Sequence, residues 1–539
     1  MRLPHNHNAL SQSIAIRITI RVLAIVTLLL LPYSLCAKSA INIKTQQQFD
    51  SIQHFILEEL NNGENSILIR LASQRFKFNE NHICLHNLHY PKASITISGS
   101  EGSMVYSEGM GYTQNDRYTW NFNHQNTFLD ENLDEVSTWS DSFVAHDTIR
   151  VLDEKAKMCF LPYEGLMPQD ASRCLNTFIL MTMWYYSSIY KVDRITEKGV
   201  FFTCDNLYQD SWLKCWNVNL DYAYTQRCSE KRQLPRFRLC NTLTSSPLSI
   251  ANGIIDSKER KLHECRNTTF LNIKECTFKE INIQGISFIG NTYNWNKYLL
   301  QFSACHLSKC INITHNIFKN LKTLAIHLEG TNNATFKSNN AENCALGILK
   351  SCNNCHNTKV INNHIDRCGT RLSNIPMIQT IGTNFLVKGN ILSDFGYSAL
   401  NSGVHYTESM NYPCQGVIEN NELFYTNITL EDIEKRTLMD SGAIYVATQN
   451  TKTIIRNNYI HDYIGICDYR GIFCDDGANN CIVENNIIQN TPTSYSIQFS
   501  EYDLSSNPRN KSPYFCRGNI AKNNHCDGAI RNKVITTND

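Results

Sequence analysis

A short phrase of the form V-x-N-N-x-I recurs eight times in the second half of this 539-residue chain, and no other feature restricts the possible folds as strongly. The fourth residue of each copy is asparagine, usually flanked by aliphatic residues. Successive asparagines lie 23, 24, 27, 31, 37, 28 and 33 residues apart, periods that are typical of solenoids. The repeat therefore predicts a parallel β-helix. Its asparagines are Asn316, Asn339, Asn363, Asn390, Asn421, Asn458, Asn486 and Asn519.

Asparagine suits the corner of such a coil for two physical reasons. Its backbone tolerates the left-handed conformation that a sharp turn needs, and its amide can hydrogen-bond the asparagine of the next coil. The flanking Ile, Val and Leu side chains would fill the interior. Asn-rich tracts can also be disordered or prion-like, but branched aliphatic residues alternating at a steady period argue against that alternative.

The N-terminus has the layout of a secretory signal peptide. Arg17 and Arg21 precede the apolar run 22–31, and Ser34, Leu35, Cys36 and Ala37 follow. The apolar run is about ten residues long, shorter than the ~20 that a membrane-spanning helix needs. We expect cleavage near Cys36 or Ala37, no membrane span, and a protein that is secreted, periplasmic or on the cell surface.

The charge and cysteine content of the mature chain narrow its partners. Without residues 1–37 the chain has 47 basic and 49 acidic residues, a formal charge of −2, which gives no basic field for nucleic acid. Twenty-one cysteines remain, an odd number in a compartment that permits disulfides. Cys352-Asn-Asn-Cys355 resembles a CxxC motif, but no second CxxC follows, so a solenoid turn is the expected location. Cys474 falls on an inward position as a small hydrophobe. We predict no metal and no cofactor.

The chain divides into four predicted segments. After the signal peptide (1–37), residues 38–100 hold an N-terminal cap and the first coils, because apolar residues in 45–60 recur at helical spacing. A helix there would shield the edge of the first coil from self-pairing. The repeat breaks over 101–245, which predicts an inserted antiparallel β module, and the β-helix occupies 246–539. The predicted class is thus all-β: a right-handed parallel β-helix with an inserted β module and a capping helix.

A second strand lies roughly ten to fifteen residues before each asparagine phrase and predicts a working face. Because side chains alternate across a strand, the neighbours of its inward Ile and Val residues point outward together. Aromatic rings and amides in this outward file suit sugar rings and hydroxyls, and Asp475 and Glu329 stand two places beyond it. The file is His327, Leu349, Gln379, His405, Tyr445, Phe473, Gln498 and Arg531.

We expect this file to bind a polysaccharide or oligosaccharide as a monomer. His461, which follows an asparagine turn, is either a further contact or the partner in a turn hydrogen bond. The predicted substrate-binding residues are His327, Gln379, His405, Tyr445, His461, Phe473 and Gln498.

Four acids near the file predict glycosidic-bond chemistry: Asp440, Asp475, Asp476 and Glu501. Hydrolysis needs two carboxyl groups, about 5–5.5 Å apart for retention and about 6.5–9.5 Å apart for inversion. Coils stack ~4.8 Å apart, so Asp475 or Asp476 can meet that spacing with Glu501 on the next coil. Asp440 would stand roughly 20 Å from Asp475 on a straight strand unless a turn folds it over the groove. Asp-Ser-Gly and Asp-Gly are also ordinary turn sequences, which is the alternative explanation for Asp440 and Asp476.

The segment 439–490 resembles the D-x-GAIY, N-x-IHD, GI-x-x-DDG and V-x-NN block of secreted right-handed β-helix proteins. These belong to the pectate-lyase-like superfamily, which includes glycoside hydrolase families 120 and 141. The resemblance implies that the acid of GI-x-x-D is Asp475 and that of D-x-GAIY is Asp440. In family 120 the second acid stands one coil after the first; the level position here is Ser500, with Glu501 one step on.

Three functions follow from these patterns. The first is a glycoside hydrolase that uses Asp475 with Asp440 or Glu501 and takes water as its second substrate. The second is a polysaccharide lyase with His405, Tyr445 or His461 as base beside a cation, which the few Arg and Lys residues of the file disfavour. The third is a non-catalytic, glycan-binding solenoid.

Overall fold

The computed structural model describes residues 39–107, eleven short segments between 127 and 265, and residues 267–535 with gaps. The signal-peptide prediction therefore lies outside the described residues. In the part that is described, no helix is both long and apolar enough to cross a membrane. The gaps after 267 are 292–296, 353, 370–374, 404–413, 427–440, 448–451, 464–468, 476–477, 492–494, 503–515 and 517.

Three long parallel sheets form the body of the molecule, which confirms the predicted all-β solenoid. From Ser66 onward each coil passes through sheet 1, then sheet 2, then sheet 3. Sheet 1 consists of Ser39–Ile43, Ser66–Leu71, His89–Gly99, Thr277–Gln284, Ile311–Thr314, Ala334–Lys337, Lys359–Ile361, Thr383–Lys388, Gln415–Glu419, Ile454–Arg456, Ile482–Glu484 and Ile520–Lys522.

The other two sheets have eleven strands each. Sheet 2 consists of Arg75–Phe78, Met104–Ser107, Ser287–Ile289, Ile317–Lys319, Asn340–Glu342, His364–Asp366, Ile391–Ser393, Glu422–Phe424, Tyr459–His461, Ile487–Gln489 and His525–Cys526. Sheet 3 consists of Ile83–His86, Leu271–Lys274, Tyr298–Ser303, Leu324–Glu329, Leu349–Cys352, Ile378–Thr380, Leu400–Ser402, Ser441–Val446, Tyr469–Cys474, Tyr495–Tyr502 and Ala529–Ile535.

Level rows of apolar side chains fill the interior of the coils. One row in sheet 1 takes one residue from each of eight successive coils, and every member is at most 2% exposed. Burial of each such side chain stabilises the fold by about 1.5–3 kcal/mol relative to its exposed state. The row is Ile283, Ile313, Phe336, Val360, Val387, Ile418, Ile455 and Val483.

An asparagine ladder marks the corner between sheets 1 and 2. In each coil the asparagine Nδ2 donates to the Oδ1 of the next one at 2.8–3.1 Å, and the same Oδ1 also accepts the backbone N–H of the asparagine before it. Each Nδ2 donates again to a main-chain carbonyl, as Asn421 does to Val387 at 3.0 Å. The ladder residues from Asn316 to Asn486 are at most 1% exposed.

The observed corner differs from the predicted one in two details. The left-handed residue is the one before the ladder asparagine, such as Asn420 (φ 55°) before Asn421, so the sharp turn and the ladder bond fall on two adjacent residues. The last rung is Asn524, whose Oδ1 accepts from Asn486 at 2.9 Å. Asn519 lies instead at the corner before sheet 1, where its Oδ1 accepts the backbone N–H of Cys481 at 2.9 Å.

Two short helices close the N-terminal end, where one helix was predicted: α1 (Gln46–Asp50) and α2 (Ile52–Asn61). Thr45 caps α1 through a capping box with Gln48. Phe49 is fully buried and stacks on Phe76 of the first sheet 2 strand, with ring centroids 4.8 Å apart. The helices thus cover the first coil, as the predicted cap would.

The inserted module is antiparallel and falls within one coil, between the sheet 2 strand Met104–Ser107 and the sheet 3 strand Leu271–Lys274. The domain boundaries at 37, 100 and 245 stay predictions. A seven-stranded sheet runs in the order Arg150–Asp153, Met158–Pro162, Gly199–Thr203, Tyr186–Thr196, Phe178–Met183, Arg236–Cys240 and Phe143–Val144. The smaller sheets are His263–Cys265 with Thr127–Leu129 and Glu135–Val136, and Ile250–Ala251 with Ile254–Ile255.

Candidate functional site

The outer face of sheet 3 carries a level row of mostly polar and aromatic residues, which we call the outer row. Strand pairing places one member on each of nine successive coils. Level neighbours in a parallel sheet lie ~4.8 Å apart, so the row runs along the solenoid axis. It consists of Gln301, His327, Lys350, Gln379, Asn401, Tyr445, Phe473, Gln498 and Arg531.

Two positions of the row differ from the predicted register. Leu349 pairs with Ile326 and is 1% exposed, so it belongs to the interior, and Lys350 takes the outward place. In the next coil but one, Asn401 is level with Tyr445, so Asn401 takes the place predicted for His405. His405 itself lies outside the described residues. The row therefore contains one more cation and one fewer histidine than expected.

The aromatic members of the row are buried, although they lie on the outer face of the sheet. Tyr445 is 0% exposed and Phe473 is 2% exposed, and their rings meet edge to face with centroids 5.3 Å apart. They do not present the open ring faces that the sequence suggested for sugar stacking. Their position instead supports the polar groups around them.

Asp475 is the carboxylate that this arrangement holds in place. It follows the strand Tyr469–Cys474, and its backbone N–H donates to the Val446 carbonyl at 2.8 Å. Its side chain is 5% exposed, and the Tyr445 hydroxyl donates to its Oδ2 at 2.9 Å. This hydrogen bond fixes the direction of the carboxyl group. The neighbouring coil thus orients Asp475.

Arg470 adds a buried cation that the sequence pattern did not predict. Its guanidinium carbon lies 4.0 Å from the centroid of the Phe473 ring, and its Nε donates to Gln498 Oε1 at 2.8 Å. The side chain is only 5% exposed. Arg470 directly precedes Gly471 in the GI-x-x-D motif. A Cβ on Gly471 would lie 2.8 Å from the Ser496 carbonyl, so the close approach of the two coils requires glycine here. This glycine, next to Arg470, was the sequence signal that could have drawn attention to the arginine.

The structure describes only one of the three predicted carboxylate partners of Asp475, and of that one only the backbone. Asp440 and Asp476 lie outside the described residues. Ser441, which follows Asp440, begins the strand Ser441–Val446, whose opposite end is level with Cys474, the residue before Asp475. Glu501 is in the strand Tyr495–Tyr502, level with Val534, and only its backbone is described.

No second carboxylate with a described side chain comes near Asp475 along this face. The pairing of Cys474 with Phe499 makes Ser500 the level neighbour of Asp475 on the next coil. In the described part of sheet 3, Glu329 is on the corresponding row but five coils away, about 24 Å at ~4.8 Å per coil.

His327 forms a second polar cluster toward the N-terminal end of the outer row. Its ring stacks on Tyr298 with centroids 4.0 Å apart, and its Nε2 lies 3.1 Å from Cys352 Sγ. Burial, helped by the nearby Lys350 charge, lowers the pKa of His327 to about 4, so the imidazole is neutral at pH 7. Burial raises the pKa of Cys352 to about 12, so its thiol stays protonated. This cluster carries no charge of its own.

The remaining two predicted contacts have different surroundings. Gln379 is half-buried in the outer row and donates through Nε2 to the Gly403 carbonyl at 3.2 Å. His461 is in sheet 2, not sheet 3, so it does not join the outer row. Its Nδ1 lies 2.7 Å from Asp462 Oδ2, and its Nε2 lies 3.2 Å from Glu422 Oε1. The turn hydrogen bond considered for His461 is therefore present.

Among the residues that the structure describes, no group of three or more His, Cys, Asp and Glu side chains could hold a metal ion. The arrangement around Asp475 offers three chemical capacities. An oriented carboxylate can act as acid, base or nucleophile, a buried guanidinium can neutralise an anion, and amides can bind hydroxyl groups.

Comparisons with known proteins support the fold. No protein-family model matches the chain, and no curated protein matches it in sequence. A solved structure described as a glycoside hydrolase aligns over 90% of this chain and 96% of its own, with a TM-score of 0.55 at 10% identity. The catalytic domain of a GH87 α-1,3-glucanase in complex with nigerose aligns over 75% and 95% of the two chains, with a TM-score of 0.26 at 12% identity.

A third structural match is the Gp54 tailspike of Acinetobacter baumannii bacteriophage AP22 in complex with a capsular saccharide. It aligns over 87% of this chain and 76% of its own, with a TM-score of 0.20 at 8% identity. Of these three matches, only the first has a TM-score above 0.5. At 10% identity, it shows that this chain shares the overall fold of a protein described as a glycoside hydrolase.

Proposed function

We propose that this protein is a glycoside hydrolase that acts on a polysaccharide or oligosaccharide, with Asp475 as one of its two reacting carboxyl groups. The observation that carries the proposal is the Tyr445 hydroxyl held 2.9 Å from Asp475 Oδ2 in a nearly buried setting. The hydrogen bond comes from a side chain of the previous coil, which fixes the direction of the carboxylate on the outer face of sheet 3.

The second carboxyl group would come from Asp440, Asp476 or Glu501. Glu501 follows Ser500, the level neighbour of Asp475, and Asp476 follows Asp475 in sequence, whereas Asp440 precedes Ser441, which is at the far end of the strand Ser441–Val446. A separation of about 5–5.5 Å would give retention and about 6.5–9.5 Å inversion of the anomeric centre. Gln498 and Gln379 would bind sugar hydroxyls, and Tyr445 would position Asp475 without touching the sugar.

The test is a screen of the purified mature protein on a broad panel of polysaccharides, with reducing ends as the readout. We expect Asp475→Asn to lower activity by about 10²–10⁴-fold, the usual contribution of a positioned acid or base. Asp366→Asn is the matched control. Asp366 is a sheet 2 carboxylate that accepts the Ser393 hydroxyl at 2.7 Å, away from the outer row.

The partner is then found by Asp440→Asn, Asp476→Asn and Glu501→Gln in parallel. One of the three should match the loss seen in Asp475→Asn, while the other two stay within severalfold of the parent. Full activity in Asp475→Asn, with its fold intact by circular dichroism, would refute the proposal.

Polysaccharide lyase activity is the second candidate, and Arg470 is the observation that favours it. Elimination next to a uronate needs a base and a cation that neutralises the carboxylate, and Arg470 is a buried cation close to the Tyr445–Phe473 pair. Lys350 adds a second cation to the row. The same screen separates the candidates, because a lyase produces unsaturated-uronate absorbance and a hydrolase does not. Glycan binding without either signal would indicate a non-catalytic solenoid.

A further inference from the structure

Several thiols lie inside the coils. Cys276 and Cys305 are level neighbours whose Sγ atoms both bond main-chain carbonyls, and in two further pairs the thiols lie beside each other. Cys344 and Cys368 each stand two residues after level positions of sheet 2, Glu342 and Asp366. The Gly369 N–H donates to the Cys344 carbonyl at 3.0 Å, which continues the pairing and keeps the two cysteines level on consecutive coils. Both are 0% exposed. Level residues lie ~4.8 Å apart, within the Cα separation of about 4.4–6.8 Å that a disulfide spans.

The second pair flanks the turn that carries Asp475. Cys474 ends the sheet 3 strand, Cys481 precedes the sheet 1 strand Ile482–Glu484, and both are 0% exposed. The neighbouring Cys481 thiol, together with burial, raises the pKa of Cys474. A third thiol, Cys516, is close by, with its Sγ 3.9 Å from the Cys474 carbonyl oxygen.

The CxxC motif behaves differently, although its cysteines are closer in sequence. Cys352 is on the outer face with its Sγ 3.1 Å from His327 Nε2. Cys355 is inside the coil, with its Sγ 3.4 Å from the Thr331 hydroxyl and 2.9 Å from the Cys352 carbonyl. The two thiols therefore lie on opposite sides of the coil wall and do not meet.

We propose that the interior of the solenoid holds two disulfides, Cys344–Cys368 and Cys474–Cys481, and that the CxxC cysteines stay reduced. The first disulfide ties one coil to the next. The second closes the loop 474–481 and thereby fixes the turn that presents Asp475. The inference stands apart from the proposed hydrolase function, because its readout is covalent structure.

The oxidant would be a small disulfide such as oxidised glutathione. One protein thiolate attacks it, forming a mixed disulfide and releasing one reduced glutathione; the second protein thiolate then displaces the other. The two cysteines lose two protons and two electrons, and the reagent is reduced to two thiols. Because the folded thiols are buried and burial raises the pKa of Cys368, the exchange takes place while the coils are forming.

The test is peptide mapping of full-length mature protein refolded from the reduced, denatured state in a mixture of reduced and oxidised glutathione. The folded product is denatured with an alkylating reagent and no reductant, and then digested with trypsin. Cleavage after Arg470 and Arg509 gives one peptide, 471–509, in which Cys474 and Cys481 are the only cysteines. We expect this peptide to lack two hydrogens and to carry no alkyl group. Peptide 338–350, with Cys344, should be linked to peptide 368–371, with Cys368.

Peptide 351–359 is the internal control, because it holds Cys352 and Cys355 and should carry two alkyl groups. In the variant Cys481→Ser, Cys474 should become alkylated, and the gain in melting temperature that oxidation gives the parent should shrink. Alkylation of both cysteines of either pair in refolded, monodisperse parent protein would overturn the proposal for that pair. A link from peptide 471–509 to peptide 512–517, which holds Cys516, would replace the second pair with Cys474–Cys516.

Discussion

Each coil turns sharply between sheets 1 and 2 and again after sheet 3. These two corners are built differently. The first uses the same asparagine bonds in coil after coil from Asn316 to Asn524. In the second, left-handed asparagines recur just before sheet 1, as at Asn333, Asn357 and Asn480. The residues that follow the sheet 3 strands, however, differ from coil to coil, among them Thr331, Gly382, Gly403 and Asp475. The repeated corner holds the coils in register, so the other corner is free to vary and to carry a reactive group.

The comparison predicts its largest effect at the repeated corner. Asn421→Ala removes two donated and two accepted hydrogen bonds and leaves the buried Asn390 N–H without a partner. An unsatisfied buried group costs about 1–3 kcal/mol and each further lost hydrogen bond about 1 kcal/mol, so we expect a loss of about 4 kcal/mol in the free energy of unfolding. Urea denaturation measures it. Asn312→Ala, a strand asparagine on the outer face of sheet 1, should cost about 1 kcal/mol or less. Equal losses would show that a ladder asparagine stabilises the fold no more than an ordinary strand asparagine does.

A smaller effect, dependent on pH, is expected at the outer row. His327 has a pKa of about 4 in the folded chain, below the ordinary value of 6.5. Between pH 4 and pH 6.5 the imidazole is therefore protonated in the unfolded chain and neutral in the folded chain. Stability from this site is complete above pH 6.5 and falls as the pH drops toward 4, by up to about 3 kcal/mol.

Urea denaturation of the parent at pH 7 and pH 4.5 measures this loss. His327→Asn should flatten the pH dependence, whereas His364→Asn, on the exposed face of sheet 2, should leave it unchanged. A parent-like slope in His327→Asn would show that the acid sensitivity arises elsewhere.

Removal of the Tyr445 hydroxyl tests the variable corner through activity. Tyr445→Phe keeps the buried ring and deletes the hydrogen bond to Asp475. If Asp475 reacts as proposed, kcat/KM should fall about tenfold, equivalent to about 1.4 kcal/mol, with melting temperature nearly constant. Tyr459→Phe, which loses a hydroxyl bonded to Gln489 on sheet 2, is the control and should keep parent activity. An unchanged kcat/KM in Tyr445→Phe would leave Asp475 without a positioning partner.

The smallest effect is expected at the last rung of the ladder. Asn524 accepts from Asn486 and donates to the Val483 carbonyl at 2.9 Å, but it is half-buried and no rung follows it. Water can replace part of what Asn524→Ala removes, so the expected cost is about 1 kcal/mol, measured by the same urea titration as for Asn421→Ala. A cost as large as that at Asn421 would mean that the ladder acts as one unit and that position along it does not matter.

Sequence alone predicted the solenoid because its strongest signal, aliphatic residues around asparagine, is the pattern that the interior and the ladder both require. The predicted register was wrong where two neighbouring residues are equally apolar. Ile348 and Leu349 are both buried, so alternation could not decide which one begins the strand. At the C-terminal end, Ala521 and Cys526 replace the usual aliphatic residues around Asn524, and the phrase around Asn519 matched better.

The candidate site was predicted in part, and the missing part has a physical cause. Asp475 follows from the motif, and the level placement of Tyr445 and Phe473 follows from alternation. Arg470 was missed because strand alternation assigns it, two residues before Ile472, to the inner side, whereas its guanidinium packs on the ring of Phe473 in the outer row. Tyr298 was missed because it lies before the first asparagine phrase, although its ring covers His327.

The direction of the ladder has a consequence for how such a chain can change over time. Every rung donates one amide hydrogen to the rung on its C-terminal side and accepts through its amide oxygen from the rung on its N-terminal side, so successive rungs present the same donor and acceptor groups. A gene duplication or deletion that adds or removes one whole coil would rejoin identical surfaces, whatever the length of the loops. The solenoid can therefore lengthen or shorten in whole coils, and the turn that carries Asp475 can be moved along it as a unit.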